Sequence, residues 1–205
     1  MQDRAAIGPD LGARRPLTPG SSRVRERHFM TYSGRGVLLG ILAMSVIVTA
    51  SNILVQYPIN DFLTLGAFTY PVAFLVTDLC NRTLGAAKAR QVVMAGFLVA
   101  VALSILLATP RIALASGSAF LLAQLLDVTI FDRLRRAAWW RAPLLSSVVA
   151  SALDTLLFFS LAFAGTEIPW VTLALGDYAV KLAIALVMLL PFRALMTQLP
   201  AREAS

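Results

Sequence analysis

Five ionisable side chains lie within long apolar stretches of this sequence, where a charge is costly to keep. They are Asp78, Asp127, Asp154, Asp177 and Lys181. A charge at the centre of a membrane-spanning helix costs roughly 3 kcal/mol on an insertion scale, so five such residues are not retained by chance. We therefore expect these side chains to face a polar interior or to pair with one another.

Spacing predicts a partner for some of these charges and none for others. Asp177 and Lys181 are four residues apart, which places them on one helix face and favours an ion pair within that helix. Asp154 has no basic residue within four positions along the chain. Because an unpaired carboxylate near mid-membrane needs a reason, we predict that Asp154 contacts a substrate directly.

Two further polar pairs lie on adjacent turns of their predicted helices. Asp78 and Asn81 are three residues apart, as are Gln124 and Asp127, so each pair shares a helix face. We expect these two faces to meet across a helix bundle. Hydrogen bonding between helices, or capping near the lipid headgroups, is the alternative explanation for them.

A stripe of small, acidic and aromatic residues accompanies Asp154. Ser147, Ser151, Asp154 and Phe158 recur at helical spacing. Small residues in spans more often serve close helix packing, which accounts for the two serines and leaves Asp154 without an explanation.

Polar and aromatic residues in the first two apolar stretches complete the set of candidates. Asn52 and Gln56 lie toward the outer end of the predicted bundle and extend its polar path across the membrane. Tyr70 and Phe74 could stack on a planar ligand, although aromatic residues in spans usually serve packing.

The elements that must position these residues are membrane-spanning helices. Of 205 residues, 58% are hydrophobic and 14% charged, and the mean hydropathy is +0.75. A water-soluble fold could not bury so much apolar surface, whereas helices of about 20 apolar residues cross a hydrocarbon layer about 30 Å thick. The sequence predicts an all-α polytopic membrane protein whose second span is interrupted by Pro71. Six spans are predicted, at residues 37–55, 62–80, 91–109, 112–131, 144–164 and 170–190.

Basic residues indicate how the spans are oriented. Sixteen of the 18 Lys and Arg residues fall before the first span, in the second and fourth loops or after the last span. Of the other two, Arg111 lies in the third loop and Lys181 within a span. The positive-inside rule then places both termini in the cytoplasm, with the protein in the inner (plasma) membrane.

The predicted domain organisation is one transmembrane domain, residues 36–196, between two tails. Residues 1–35 are rich in Arg, Pro, Gly and Ser without an apolar period, and we predict a disordered basic cytoplasmic tail. Residues 197–205 are predicted to form a short cytoplasmic C-terminal tail.

Several classes of function lack support in the sequence. The net charge of +7 lies in short blocks between spans and along no single helix face, so it does not indicate nucleic-acid binding. One cysteine, Cys80, and one histidine, His28, do not support a zinc site. Neither a metalloprotease motif, a phosphate-binding loop nor a cofactor motif is present, so the sequence does not indicate an enzyme.

Short motifs spread over all six predicted spans are more specific than any single residue. They are Ser51-Asn52 with Gln56, Gly66-Ala67-Phe68, Pro71, Thr77-Asp78, Gly85, Ala89-Arg90, Gln124-Leu125-Leu126-Asp127-Val128, Ile130-Phe131, Leu134-Arg135, Trp139-Trp140, Ser146-Ser147, Asp154-Thr155, Phe158-Phe159 and Asp177-Tyr178 with Lys181. In order and spacing they resemble the queuosine precursor transporter family, also called the vitamin uptake transporter family.

The resemblance implies a six-helix fold similar to the substrate-binding subunits of energy-coupling-factor vitamin transporters. It also implies import of 7-cyano- and 7-aminomethyl-7-deazaguanine for queuosine modification of tRNA. A guanine-like edge offers adjacent N–H donors that a carboxylate accepts in bidentate fashion, which makes Asp154 the first candidate. The amides of Gln124, Asn52 or Gln56 could donate to the ring carbonyl, while Lys181 would balance charge or orient Asp177.

Two alternatives from other classes stay open on the sequence alone. One is a substrate-capture subunit that works only with a separate energising module. The other is an intramembrane enzyme that acts on a lipid or a nucleotide. Transport by the purified chain in liposomes separates the first alternative from a self-sufficient importer, and turnover without translocation identifies the second.

The topology prediction is tested by cysteine labelling in a Cys80-free background. Single cysteines placed at the N-terminus, near Lys88, near Arg136 and at the C-terminus should react with a membrane-impermeant reagent only after the cells are opened. The basic imbalance across the spans is the physical reason. A cysteine at position 86 that reacts from outside intact cells would reject the orientation.

Overall fold

The computed structural model describes residues 19–54, 57–60, 63–107 and 109–198, with side chains from residue 34 onward except those at positions 52, 58, 64, 104 and 107. This part of the chain forms helices joined by short connections and one small antiparallel hairpin. The elements are α1 (Pro19–Leu54), β1 (Pro58–Asn60), β2 (Leu63–Thr64), α2 (Gly66–Thr69), α3 (Pro71–Leu84), α4 (Ala86–Leu107), α5 (Pro110–Leu134), α6 (Arg141–Phe163) and α7 (Trp170–Gln198).

The architecture confirms an all-α polytopic membrane protein. Among the described residues, five helices are long and apolar enough to cross a membrane: α1, α4, α5, α6 and α7. The predicted second span corresponds to α2 and α3 taken together, since only Tyr70 separates them. Large apolar side chains such as Leu106, Leu114 and Leu190 are more than 70% exposed, as lipid-facing residues of a bundle should be.

Proline is the cause of the break in the second span. Pro71 is the first residue of α3 and has no N–H with which to continue the hydrogen-bond ladder of α2. The backbone N–H of Tyr70 still donates to the carbonyl of Gly66 over 3.0 Å, so the two helices remain nearly continuous. The predicted interruption at Pro71 is therefore confirmed.

Helix α1 is longer than the first predicted span. It begins at Pro19, so residues 19–35, which we predicted to be disordered, are helical. The stretch between Ser21 and Arg35 contains good helix formers such as Arg and Glu, and a helix that is already nucleated in the membrane extends at little cost. Residues 1–18 and 199–205 of the two predicted tails lie outside the described part of the chain.

The main apolar core joins the first helix to the middle of the bundle. Met44 and Val48 of α1 pack with Val92 and Val93 of α4 and with Phe120 of α5, and all five are buried. At Gly40 the helices approach so closely that a Cβ atom would lie 2.7 Å from the Cys80 sulfur. This contact holds α1 against α3 and α4.

The two ends of the bundle are closed by different interactions. At the basic end, defined by Gly85, residues 135–140, the start of α6 and the end of α7, the Arg193 guanidinium lies 4.9 Å from the centre of the Trp139 ring. At the opposite end, the guanidinium of Arg111 donates to the carbonyls of Leu161 over 2.9 Å and of Ala164 over 2.5 Å. Arg111 therefore caps the end of α6.

Replacing Gly40 by leucine should destabilise the fold, because the new side chain must enter the space held by Cys80 and Val92. Overpacking of this kind costs about 1–3 kcal/mol. Thermal unfolding of the purified protein measures the effect. Gly34→Leu is the matched control, since a Cβ there meets nothing within 4 Å. Equal melting temperatures for the two variants would contradict this account of helix packing.

Candidate functional site

One buried ammonium group organises the centre of the bundle. The Lys181 Nζ atom lies 2.8 Å from Asp154 Oδ2 and 2.6 Å from Asp177 Oδ2, and it also donates to the Thr155 hydroxyl over 3.0 Å. The Tyr70 hydroxyl donates to the other Asp154 oxygen over 3.0 Å. We call these five residues the Lys181 network. In this network two carboxylates compensate the charge of one ammonium group, at a site that is nearly inaccessible to water.

Three elements supply the Lys181 network. Helix α6 carries Asp154 and Thr155 side by side, and α7 carries Asp177 and Lys181 one turn apart. Tyr70 reaches the network from the junction of α2 and α3, and its ring lies 5.2 Å from the Lys181 nitrogen. Asp154 and Lys181 are each 4% exposed, so the pair is effectively removed from solvent.

The network corrects one sequence prediction and confirms another. Asp154 was expected to be unpaired because its own helix offers no cation, but the structure supplies Lys181 from α7. The predicted ion pair between Asp177 and Lys181 is present. The reason for the error is that spacing along one helix reveals partners three or four residues apart and none on a neighbouring helix.

A second polar layer lies nearer the basic end, between α3 and α5. The Thr77 hydroxyl donates to the Gln124 side-chain oxygen over 2.5 Å, and the Asn81 amide donates to the Val128 carbonyl over 2.9 Å. Asp78 accepts a hydrogen bond of 3.3 Å from Ser146 of α6. The predicted meeting of the Asp78 and Gln124 faces across the bundle is therefore confirmed.

Asp78 and Asp127 lie next to each other in this layer, and Ser146 adjoins both; we call them the carboxyl pair. Asp78 is 2% exposed and Asp127 is fully buried. Neither oxygen of Asp127 makes a hydrogen bond with a described residue, and the Gln124 side-chain nitrogen likewise has no acceptor among them. Buried polar atoms without partners are rare in folded proteins and call for an explanation.

A narrow cleft between α3, α6 and α7 connects the two polar layers. Asp78 lies on its wall toward the basic end, and Lys181 lies toward the network. Ser147 and Ser151 line the α6 side, and Phe74 is part of the apolar wall. The cleft therefore presents a carboxyl group and two hydroxyls to a ligand against a largely apolar surface, with the fully bonded Lys181 side chain at its other end, as small-molecule sites commonly do.

The predicted candidates divide into those that line the cleft and those that do not. Asp78, Lys181 and Phe74 line it. Asp154 and Asp177 do not line the cleft but form ion pairs with Lys181. Phe158 packs against Phe159 and Phe163, with ring centres 5.2 and 6.0 Å away, and does not line the cleft.

The remaining site residues are two predicted candidates without a described side chain and three whose role was not predicted from the sequence. Gln56 and the side chain of Asn52 lie outside the described part of the chain. Thr155 and Ser146 were given no chemical role from the sequence, because a lone hydroxyl in a span is common and carries no spacing signal. Tyr70 was considered for stacking, but its hydroxyl is the atom that bonds Asp154.

Apolar helices around a buried charged cleft define the general class, a multi-pass membrane protein with a functional site in its interior. A family model described as "Putative vitamin uptake transporter" matches residues 64–109 and 102–196. The chain belongs to this family.

Curated relatives agree with the family match. The "Queuosine precursor transporter" of Escherichia coli (strain K12) is 36% identical, and the match covers 71% of this chain and 79% of that protein. The "Probable queuosine precursor transporter" of Haemophilus influenzae is 34% identical over the same shares of the two chains. That of Bacillus subtilis (strain 168) is 28% identical, over 69% of this chain and 75% of its own length.

No solved structure matches the chain significantly. The similarity to substrate-binding subunits of energy-coupling-factor transporters that the sequence implied therefore stays a prediction.

Removing the shared cation should cost more than removing any one of its partners. Lys181→Met leaves Asp154 and Asp177 buried without a cation, and breaking a buried ion pair costs about 3–5 kcal/mol. The matched control Tyr70→Phe removes one hydrogen bond, worth about 1 kcal/mol. The amount of monodisperse protein and its melting temperature measure both effects.

Charge balance predicts which combined variants recover stability. Asp177→Asn with Lys181→Met should stay less stable than wild type, because Asp154 is still without its cation. Adding Asp154→Asn removes the last uncompensated charge and should restore most of the folded protein. If the double variant were already as stable as wild type, Asp154 would not depend on Lys181.

Proposed function

We propose that this protein imports queuosine precursors, namely 7-cyano- and 7-aminomethyl-7-deazaguanine, across the inner membrane with both termini in the cytoplasm. The observation that carries the proposal is the cleft between Asp78 and Lys181, found in a chain whose relatives are named queuosine precursor transporters. A planar base of this kind has hydrogen-bonding groups along its edges and apolar faces. The polar ends and the Phe74 wall of the cleft suit both features.

We propose that Asp154, which lies outside the lining of the closed cleft, recognises the guanine-like edge when the Tyr70 hydroxyl moves away from it. Its Oδ1 atom accepts from a neutral hydroxyl, that of Tyr70, whereas its Oδ2 atom is held by Lys181. A ligand N–H group can replace the Tyr70 hydroxyl at little net cost, because one neutral donor is exchanged for another. Lys181 meanwhile keeps the buried carboxylate compensated, so substrate binding leaves no bare charge.

The other end of the cleft suits the substituent at position 7 of the base. Asp78, Ser147 and Ser151 provide acceptors there. An aminomethyl cation is attracted to Asp78, and a neutral cyano group can accept from a serine hydroxyl. Both precursors therefore find a partner without a change of side chains.

Import also requires the cleft to open toward each side of the membrane in turn. The cleft is narrow, so a base-sized ligand needs α3 to move away from α6 and α7. The contacts that hold it shut near the network are the hydrogen bond from Tyr70 to Asp154 and the packing of the Tyr70 ring against Phe74 and Phe120. These contacts are weak enough individually to be exchanged for contacts with a ligand.

Uptake of labelled 7-cyano-7-deazaguanine, in cells that cannot make queuosine precursors, tests this function. Cells that produce the protein should accumulate the label and regain queuosine in tRNA, and cells without it should not. The purified chain in liposomes should also transport the label. Uptake in cells without transport in liposomes would favour a capture subunit that needs a separate energising module.

Variants of Asp154 and Tyr70 test the recognition step. Asp154→Asn turns an acceptor toward the ligand into a donor and should weaken binding at least about a hundredfold, since each 1.4 kcal/mol is a factor of ten. Tyr70→Phe removes the competing donor and should bind the base no more weakly than wild type. Ligand-induced thermal stabilisation measures both. Asp132→Asn, a half-exposed carboxylate at the basic end, is the control. A stable Asp154→Asn protein that binds as tightly as wild type would exclude Asp154 from recognition.

A further inference from the structure

The carboxyl pair differs from the Lys181 network in having no cation of its own. Among the described residues, no basic nitrogen lies within 4 Å of an Asp78 or Asp127 oxygen, whereas Asp154 and Asp177 share one. Two adjacent carboxylates in a poorly solvated site repel each other, and the usual outcome is that they share a proton. The pair therefore needs a positive charge to compensate it, and no described side chain within 4 Å supplies one.

The described basic side chains on the surrounding helices do not form an ion pair with Asp78 or Asp127 either. Two of the cations, Lys181 and Arg135, are engaged elsewhere: Lys181 by Asp154 and Asp177, and Arg135 by Asp132 and the Asn81 oxygens. The described titratable side chains on the helices that carry the pair or pack against it, and at their capping positions, are Arg35, Tyr70, Cys80, Arg82, Lys88, Arg90, Arg111, Asp132, Arg133, Arg135, Arg141, Asp154, Asp177, Tyr178, Lys181 and Arg193.

A second observation also indicates that the two carboxyl groups share a proton. Neither Asp127 oxygen accepts a hydrogen bond of good geometry although the residue is fully buried, and the polar groups beside it are the Asp78 carboxyl and the Ser146 hydroxyl. A proton on Asp127 makes one of its oxygens an O–H donor, and the Asp78 carboxylate or the Ser146 hydroxyl oxygen can accept the resulting hydrogen bond. The Gln124 amide nitrogen, one turn earlier on the same face of α5, is a further buried donor without a described acceptor. Donors and acceptors are thus close together here without being matched.

The pair is also asymmetric with respect to the cleft. Asp78 lines the cleft, and Asp127 lies behind it on α5. When the proton resides on Asp127, Asp78 stays an ionised acceptor for a ligand while the pair carries a single negative charge. A neutral ligand that fills the cleft displaces water from beside Asp78 and makes a second negative charge on the pair more costly. Proton and neutral ligand therefore favour each other's binding, which is the thermodynamic requirement for moving both in the same direction.

We propose that the carboxyl pair is the proton site of a proton-coupled importer, with one proton carried on Asp127 for each neutral substrate molecule bound beside Asp78. This inference rests on the proposed function. The O–H bond on Asp127 forms with a proton from the outer side and breaks when that proton is released to the cytoplasm with the substrate. No other bond is made or broken.

Infrared spectroscopy tests the shared proton without any substrate. The purified wild-type protein at neutral pH should show the C=O stretching band of a protonated carboxyl group, and Asp127→Asn should lose that band. Asp132→Asn, which changes a half-exposed carboxylate on the same helix, should keep it. Absence of the band from wild type, or its persistence in Asp127→Asn, would overturn the proposal.

Transport in liposomes tests the coupling. An inward proton gradient of about one pH unit should drive about tenfold accumulation of labelled 7-cyano-7-deazaguanine by wild type, since one proton then supplies about 1.4 kcal/mol. A protonophore should reduce this to equilibration. Asp127→Asn should exchange labelled for unlabelled substrate but lose gradient-driven accumulation, and Asp132→Asn should accumulate like wild type.

The outcomes separate this inference from the proposed function. Wild-type uptake that is indifferent to the proton gradient would overturn proton coupling and leave the import function standing. Absence of any wild-type transport would overturn both. Full gradient-driven accumulation by Asp127→Asn would show that the proton resides elsewhere and would reject the assignment to the carboxyl pair.

Discussion

The arrangement of the bundle depends on one ammonium group held between two carboxylates. Lys181 joins α7 to α6 through Asp154, and Tyr70 extends the same network to the junction of α2 and α3. In a poorly solvated interior such charges must meet, because each of them alone would be too costly to bury. The position of α6 relative to α7, and therefore one side of the cleft, is fixed by this requirement.

The two polar layers of the bundle have different chemical characters. In the Lys181 network every charge has a partner of opposite sign, so the network favours a single arrangement. The carboxyl pair instead consists of two like groups with unused hydrogen-bonding capacity. A cleft that touches both layers joins a part of the protein with fixed charge to a part whose charge can change. That combination suits a transporter, which must keep its fold while its bound substrate and protons change.

Much of the fold could be predicted from the sequence, because the length and hydropathy of a span are local properties. The helices match the predicted spans closely, and Pro71 breaks the second span as expected. The hairpin at Pro58–Asn60 and the extension of α1 to Pro19 were not predicted, since neither is required by the membrane. For the site, spacing found the Asp177 and Lys181 pair but could not show that Lys181 also binds Asp154, which depends on how two helices pack.

The proline that begins α3 has a mechanical consequence for the tyrosine directly before it. Because Pro71 donates no backbone hydrogen bond, bending the chain at that point breaks none at this residue. The backbone hydrogen bonds of Tyr70, from its N–H to Gly66 and to its carbonyl from Ala73, still join it to both sides of this break. The Tyr70 hydroxyl holds the junction of α2 and α3 to Asp154 through one side-chain hydrogen bond, and breaking that bond removes no backbone hydrogen bond.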